Sequence, residues 1–194
     1  MTKIIGLTGG IGSGKTTIAN YLKDNGLPVY IADDQAREIM KSSEILKKIN
    51  TVFGNAVFNN GQLNRLLLAD VVFNNPEKLK LLNAIIHPAV KNHFDNWILN
   101  YKKHPYIIYE AAILFESGSY KNCNLILTIT APIESKIQRV IERDKITREQ
   151  VLKRMSMQWT DEQRVAKSDF VIENINFETT IIEINKILKI LNIQ

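Results

Sequence analysis

Hydrophobic residues form short, nearly continuous runs at both ends of the chain. Such runs occupy Lys3–Thr8, 27–32 (LPVYIA), Tyr106–Glu110 and 124–130 (NLILTIT). Runs of this length, rich in Val, Ile and Tyr, are typical of strands that are buried on both faces of a parallel sheet. A shorter run at 169–174 (DFVIEN) predicts one more strand.

Between these runs, apolar residues recur at helical spacing. Residues 15–25 are predicted to form a helix that carries Ile18, Ala19 and Leu22 on one face and ends at Gly26. Further helices are predicted at about 34–40, 133–143, 148–159 and 177–191. Residues 42–103 also read as helical, interrupted by a turn at 59–61 (NNG), and the His87-Pro88 pair predicts a helix end.

Strands and helices alternate at both ends of the chain, which is the pattern of an α/β fold. The sequence therefore predicts a three-layer parallel sheet whose ligands bind at the carboxyl ends of the strands. A chain of 194 residues is long enough for one such domain with an insertion.

Composition and charge restrict the picture only slightly. The formal net charge is +5, which suits a phosphate-rich ligand, but we find no basic stripe interleaved with aromatic residues and expect no nucleic-acid partner. The only cysteine, Cys123, excludes an intrachain disulfide. The first residues lack the apolar stretch of a signal peptide and no later stretch reaches membrane-spanning length, so we expect a cytoplasmic protein without a membrane partner.

A glycine-rich stretch, GGIGSGKTT, follows the first predicted strand and opens the first predicted helix. Gly9, Gly14, Lys15 and Thr16 fit the phosphate-loop (P-loop) pattern G-x-x-x-x-G-K-[ST] in its proper context. Glycines let successive N–H groups turn towards an anion, while the lysine reaches the β- and γ-phosphates and the hydroxyl ligates Mg²⁺. The ATP-binding residues predicted from this motif are Gly9, Gly10, Ile11, Gly12, Ser13, Gly14, Lys15, Thr16 and Thr17.

Three classes of protein use such a loop: phosphotransferases, GTP switches and mechanical ATPases. The guanine motif N-K-x-D of a switch is missing, because the one Asn-Lys pair, at Asn185, lacks the aspartate. A mechanical ATPase normally carries a strand that ends in aspartate and a longer chain, whereas YIIYE ends in Glu110. A small kinase needs only the loop, a base, an acceptor pocket and a basic lid, and is favoured.

Two carboxylates are predicted at strand ends near this loop. Asp33 follows the second strand, where it is either the general base for an acceptor hydroxyl or the N-cap of the next helix. Glu110 ends another strand, where it orients a magnesium-bound water or an acceptor hydroxyl, or forms a structural ion pair.

The segment 136–167 has more basic than acidic residues and is a candidate lid. Arg139, Arg143, Arg148 and Arg154 are candidates to close over the triphosphate, with Arg143 and Arg154 favoured. The alternative is an ordinary surface helix with ion pairs of mixed sign. Phe115 is a candidate for the acceptor pocket, His87 is structural or catalytic, and Trp97 and Trp159 are interpreted as packing residues.

Several dispersed segments resemble those of the dephospho-coenzyme A kinase family. The matching segments, in order along residues 3–174, are GLTGGIGSGKTT at 6–17, ADDQAR at 32–37, GQLNR at 61–65, IIHPAV at 85–90, YEAAILFESG at 109–118 and SDFVIEN at 168–174. The resemblance implies a P-loop kinase that transfers the γ-phosphate of ATP to the 3′-hydroxyl of dephospho-coenzyme A, with Mg²⁺, as a monomer or weak homo-oligomer.

The resemblance also implies roles for individual residues. Asp33, Lys15 and Arg143 would be catalytic, with Arg143 and Arg154 on ATP and Thr16 on the metal. The acceptor would be bound by Asp33, Arg37, Arg65, His87, Glu110 and Phe115. The single kinase domain, 1–194, would have its core at about 1–41, 104–133 and 165–194, an acceptor-binding helical insertion at about 42–103 and a lid at about 134–164.

Three positions depart from the family pattern. Ile31 stands where the family usually has the first Asp of Asp-Ala-Asp, so no carboxylate there supports Asp33. Ala112 replaces a proline, and Asn64 replaces an aspartate that often precedes the arginine. Two alternatives therefore stay open at this point: a kinase of another nucleoside or nucleotide, and an ATP-binding module without catalysis.

Overall fold

A computed structural model describes residues 2–73 and 75–193. The chain divides into two compact units, Met1–Ile31 together with Tyr101–Gln194, and Ala32–Asn100. The second unit starts ten residues earlier than the insertion expected from the sequence, because the helix after the second strand belongs to it.

The elements are, in chain order, as follows. The first unit begins with β1 (Lys3–Thr8), α1 (Lys15–Asp24) and β2 (Val29–Ile31). The second unit holds α2 (Ala32–Ile39), α3 (Ser43–Phe53), β3 (Phe58–Asn59), β4 (Gln62–Leu63), α4 (Arg65–Phe73) and α5 (Pro76–Trp97). The first unit then continues with β5 (Tyr106–Glu110), β6 (Leu125–Thr130), α6 (Ile133–Asp144), α7 (Arg148–Met155), α8 (Asp161–Val165), β7 (Phe170–Glu173) and α9 (Phe177–Ile190).

The first unit is built on a parallel sheet of five strands in the order β2-β5-β1-β6-β7. β1 pairs with β5 on one side and β6 on the other, in register Ile5 with Ile108 and Leu125. Helices lie on both sides of the sheet, so the predicted α/β fold class is confirmed. Because all these strands run in one direction, the loop after β1 and the last residue of β5 lie at the same edge.

The core explains why the apolar runs form interior strands. On one face of the sheet, Leu7 and Ile129 pack with Ile18 and Leu22 of α1 and with Ile184 of α9, all almost fully buried. Burying each large aliphatic side chain contributes roughly 1.5–3 kcal/mol. This packing fixes α1 against β1, and with it both ends of the loop that joins them.

α5 continues through the proline that the sequence analysis took as a helix end. That prediction was wrong, since α5 runs from Pro76 to Trp97 with Pro88 inside it. A proline removes one backbone hydrogen bond, but Ile86, Val90 and Phe94 bury one face of the helix in the second unit. Burial of that face outweighs the lost hydrogen bond, and α5 packs on α2, α3 and α4.

The helix predicted at 148–159 ends four residues earlier than expected, so its C-terminal boundary was wrong, and a further short helix that was not predicted follows it. α7 ends at Met155 and α8 starts at Asp161. Thr160 caps α8: its hydroxyl accepts from the N–H of Gln163, whose side chain accepts from the N–H of Thr160. This capping box stabilises the start of the helix that was not predicted from the sequence.

The turn predicted at 59–61 joins a small antiparallel hairpin, β3 and β4. Asn60 and Gly61 both have positive φ, 49° and 75°, as the two central residues of a type I′ turn require. The hairpin interrupts the otherwise helical second unit where the sequence predicts the interruption.

We expect Thr160→Ala to lower the free energy of unfolding by about 1 kcal/mol, because the variant loses the cap of α8. Thr160→Asp keeps a side-chain acceptor and should retain most of the stability. Urea unfolding followed by circular dichroism measures both variants. Equal stability of wild type and Thr160→Ala would contradict the capping role.

His87 lies on α5, and its burial lowers its pKa from the ordinary value of 6.5. Because the unfolded chain then binds the proton more readily, His87 destabilises the folded state as the pH falls through 6.5 towards the lower folded pKa. As the pH falls from 7.5 to 5.5, the free energy of unfolding of His87→Gln should therefore rise relative to that of wild type. Thermal unfolding at the two pH values measures the difference, and a constant difference would contradict it.

Candidate phosphate-binding site

The loop between β1 and α1 has a backbone that requires glycine at particular positions. Gly12 and Gly14 have φ of 80° and 93°, in the left-handed region that side chains rarely adopt. A Cβ on Gly12 would collide with the backbone of Lys136, and one on Gly14 with the side-chain amide of Asn174. The two glycines are thus needed because the loop lies directly on the protein beneath it. This reason adds to the one that the sequence indicates, which is access for the phosphates.

Side chains beneath the loop hold its carbonyl oxygens. The Nδ2 of Asn174 donates to the carbonyl of Ser13 at 2.8 Å, and Thr180 Oγ1 donates to Asn174 Oδ1 at 3.0 Å. In a trans peptide the C=O and the following N–H point in opposite directions. Because the Ser13 carbonyl points to Asn174, the N–H of Gly14 points the other way, as an anion-binding loop requires.

Arg139 was a candidate for closing over the triphosphate, but the structure places it below the loop. Its Nη1 donates to the carbonyl of Gly12 at 3.4 Å, and its Nη2 donates to the carbonyls of Asn174 and Ile175 at 3.1 and 3.4 Å. These contacts tie the loop to the backbone after β7. Asn174 was noticed in the sequence only as the end of a matching segment, and its contact with Ser13 joins residues too distant in sequence to be inferred.

Lys15, the first residue of α1, is buried beside a carboxylate. Its side chain is 9% exposed, and its Nζ lies 3.8 Å from Oε1 of Glu110, which is 2% exposed. Glu110 is the last residue of β5, and β5 pairs with β1. The ion pair that was one alternative for Glu110 is therefore present, and its partner is the lysine of the phosphate loop.

Asp33 lies in the first turn of α2, two residues after the end of β2. It is half-buried, and because α2 begins at Ala32, it is inside the helix and not its N-cap, so that alternative was wrong. Asp34 is exposed and pairs with Arg37, with Nη1 and Oδ1 2.8 Å apart.

The favoured lid arginines come together on one carboxylate. Arg143 Nε and Arg154 Nη1 both bind Asp144, each at 2.7 Å. The hydrogen bond from Arg143 is the main cause that lowers the pKa of the Asp144 carboxyl. Arg148 is elsewhere, in a bidentate pair with Glu134 at 2.6 and 2.7 Å that joins α7 to α6. The surface ion pairs of mixed sign that were the alternative to a lid are therefore present. At one of them, the Asp144 carboxylate binds two guanidinium groups.

A buried cluster of charges beside the loop was missed by sequence reasoning. Lys136 Nζ binds Asp161 Oδ2 at 2.6 Å, and Arg164, 1% exposed, binds Glu116 Oε1 through Nη2 at 3.2 Å. A Cβ on Gly10 would lie within 4 Å of Asp161, Arg164 and Lys136. The available signal was the position of Lys136 in α6, four residues before the buried Val140 on the same stripe.

The remaining aromatic candidates pack against other aromatic rings. Phe115 is buried and stacks parallel to Trp159, with centroids 5.1 Å apart. Trp97 stacks on Phe94 at 6.0 Å. These contacts agree with the interpretation of both tryptophans as packing residues, and they bury the Phe115 ring that was expected to line an acceptor pocket.

A cavity of about 470 Å³ opens next to the loop within the first unit. Residues from the loop, α6 and the segment around α8 line it, among them Gly10, Ile11, Lys136, Gln158, Trp159 and Arg164. The loop is therefore bordered by open space on this side and by packed protein beneath Gly12 and Gly14.

The other predicted site residues lie in the second unit or on the exposed part of α1. Arg65 begins α4 and is exposed, and Asn64 just before it accepts from the N–H groups of Leu66 and Leu67 at 3.0 and 3.2 Å. Asn64 thus caps α4, a task that the family's usual aspartate performs equally well. Thr16 and Thr17 are exposed in the first turn of α1.

The donors near Lys15 are suited to a hard cation that is bound mainly through phosphate and water. Thr16 presents an exposed hydroxyl, and Glu110 presents a carboxylate, both of which are oxygen ligands. Within residues 2–73 and 75–193 no group of three or more His, Cys, Asp or Glu side chains is arranged to hold a metal by itself. The same residues contain no helix with the length and apolar character needed to cross a membrane.

Comparison with known proteins connects this geometry to a family of enzymes. The family model described as CoaE, dephospho-CoA kinase, matches residues 3–179. A dephospho-CoA kinase of Fusobacterium nucleatum subsp. nucleatum is 44% identical over 172 residues, which are 88% of this chain and 89% of that protein. A dephospho-CoA kinase of Dehalococcoides mccartyi is 39% identical and covers 89% of this chain and 88% of its own.

Solved structures agree in fold. The crystal structure of TT1252 from Thermus thermophilus has a TM-score of 0.88 and 34% identity and covers 96% of both chains. Dephospho-CoA kinase from Campylobacter jejuni has a TM-score of 0.66 and 27% identity, with 97% of this chain and 98% of that chain covered. The match along residues 3–179 and the identity to the curated relatives show that this chain belongs to the dephospho-CoA kinase family, whose members catalyse the final step of coenzyme A synthesis.

Proposed function

We propose that the chain transfers the γ-phosphate of ATP to the 3′-hydroxyl of the ribose of dephospho-coenzyme A, giving coenzyme A and ADP. The observation that carries the proposal is the anchored phosphate loop with the buried Lys15–Glu110 pair, in a chain that belongs to this family. Phosphoryl transfer needs mainly positioning and charge stabilisation, and the loop supplies both.

The phosphates of ATP lie along the loop. The N–H of Gly14, the positive end of α1 and the ammonium group of Lys15 attract the β- and γ-phosphates. Lys15 already has a negative partner in Glu110, so its charge is held at the loop before ATP arrives. Thr16 would hold Mg²⁺, which when bound neutralises part of the triphosphate charge.

Asp33 accepts the proton of the 3′-hydroxyl. Its carboxylate lies in the first turn of α2, two residues after the end of β2, and provides the oxygen acceptor that a general base needs. Arg143 and Arg154 belong to the lid, residues 134–164, and stabilise the charge that spreads over the transferred group. Asp144 holds both guanidinium groups in one place, so the two arginine side chains lose less conformational freedom when the lid closes over ATP.

The acceptor is held chiefly by the second unit. Arg37, Arg65 and His87 are the proposed acceptor-binding residues of that unit, and Glu110 is the remaining candidate from the first unit, since the Phe115 ring is buried against Trp159. Burial favours the neutral form of His87 by lowering its pKa, so it acts as a hydrogen-bonding group and not as a cation. Ile31 pairs in register with Glu110 and offers no carboxylate, so Asp33 works without that second acid.

Some features of the proposal come from the sequence alone. A cytoplasmic location, the absence of nucleic-acid and membrane partners, and a monomeric or weakly associated state are predictions that gel filtration and cell fractionation test directly.

Acceptor selectivity tests the proposal. Purified protein with Mg·ATP should release ADP rapidly when dephospho-coenzyme A is added, and slowly or not at all with adenosine or AMP. Formation of coenzyme A is followed by mass spectrometry in the same samples. ADP release that ignores the acceptor, or that prefers a rival acceptor, would contradict the proposal.

Replacement of Asp33 tests the base. Asp33→Asn should lower kcat by roughly two to four orders of magnitude, the usual range for a positioned base, and leave the affinity for ATP within a few-fold of wild type. Asp34→Asn is the matched control, because Asp34 is the neighbouring exposed carboxylate and pairs only weakly with Arg37 at the surface. A loss of ATP binding in Asp33→Asn would assign the residue to structure or to the metal.

A further inference from the structure

The phosphate loop is attached to the segment that follows α7 at one backbone group. The N–H of Ile11 donates to Oε1 of Gln158, 3.0 Å away. The two residues are far apart in sequence, and Gln158 lies in the turn between α7 and α8. The motif predicts Ile11 as an ATP-binding residue, but its N–H is directed to a side chain of this protein.

The side chain of Ile11 makes the same connection. It packs against a small apolar cluster whose buried members are Ile137, Val140 and Val151, and which Met155 also joins. This cluster joins α6 to α7 and is separate from the core under the sheet. Both the backbone and the side chain of Ile11 therefore tie the loop to residues of the proposed lid.

Gln158 is itself held in place by the residue that follows it. The N–H of Trp159 donates to Glu116 Oε1 at 2.8 Å, and Arg164 Nη1 donates to the carbonyl of Trp159. The Trp159 ring is stacked on Phe115. With its backbone bound on both sides, Trp159 leaves little freedom for the turn that presents Gln158 to Ile11.

We propose that Gln158 is a positioning residue for the phosphate loop, and that the ion pair between the buried Arg164 and the partly buried Glu116 acts through Trp159 to keep it there. The loop is bound beneath at Gly12 and Ser13 but borders a cavity at Gly10 and Ile11. Gln158 supplies the missing attachment on the cavity side. Without it, residues 10–12 sample more conformations, and nucleotide binding must order them.

The first test is the affinity for Mg·ADP, measured by isothermal titration calorimetry. Gln158→Met has a side chain of similar length without the acceptor and should weaken binding about three- to tenfold, the range of one hydrogen bond. Gln138→Met is the matched control, since Gln138 is an exposed lid glutamine whose Nε2 bonds to Glu142 at the surface. It should bind Mg·ADP like wild type.

The second test follows the Ile11 amide itself by hydrogen exchange in NMR spectra. Gln158→Met should speed the exchange of this amide, whereas Gln158→Glu, which keeps an acceptor oxygen, should restore its protection. The Leu22 amide in the interior of α1 should not change in either variant. Equal Ile11 exchange in wild type and Gln158→Met would overturn the proposal.

A double-mutant cycle removes the other partner. Ile11→Pro deletes the donor N–H, so Gln158→Met added to it should weaken Mg·ADP binding no further. Equal losses from Gln158→Met in the two backgrounds would overturn the assignment. If Ile11→Pro does not fold, the calorimetry and exchange measurements on Gln158→Met decide the question.

This inference concerns the nucleotide site and rests on the proposed function only for its effect on turnover. For phosphorylation of dephospho-coenzyme A, Gln158→Met should raise the KM for ATP and leave the KM for the acceptor unchanged. A wild-type protein that binds Mg·ADP but does not phosphorylate dephospho-coenzyme A would contradict the proposed function and leave the calorimetric test intact. If wild type phosphorylates dephospho-coenzyme A normally but Gln158→Met binds Mg·ADP as tightly as wild type, the proposed function stands and the role of Gln158 is contradicted.

Discussion

The hydrogen bond from Asn174 to the carbonyl of Ser13 determines which way the phosphate loop faces. It lies under the peptide that carries the Gly14 N–H, and Arg139 makes a longer contact under the preceding carbonyl. The glycine conformations, the helix that starts at Lys15 and the packing of α1 on the sheet are all consistent with this one orientation. A loop formed in advance loses less entropy when it binds an anion.

Within the part of the chain that the structure describes, each charged side chain that is buried beside the loop has a partner of opposite sign. Lys15 faces Glu110, Lys136 faces Asp161 and Arg164 faces Glu116. Burying such groups is unfavourable unless they are paired, and removing one partner leaves a costly isolated charge. The pairs therefore favour one specific arrangement of β5, α6 and α8 around the loop, while their net contribution to the free energy of unfolding is small.

The sequence predicts the parts of this structure that depend on local pattern. β1 was predicted residue for residue because a strand buried on both faces leaves a continuous apolar run. Pro88 shows the limit of local rules, since burial of one face of α5 outweighs the effect of a proline. The early end of α7 and the separate helix α8 were missed because the capping box of Thr160 and Gln163 was not recognised in the sequence. Arg164 and Gln158 were missed for a different reason: their partners, Glu116 and Ile11, are brought to them only by the folded chain.

The position of the phosphate in the product tests the proposed reaction. The protein, Mg·ATP and dephospho-coenzyme A are incubated together, and the product is examined by phosphorus–proton correlation NMR. We expect one new phosphomonoester per ADP formed, coupled to the 3′ proton of the ribose. A phosphate on another hydroxyl, or ADP and inorganic phosphate as the only new phosphorus species, would contradict it.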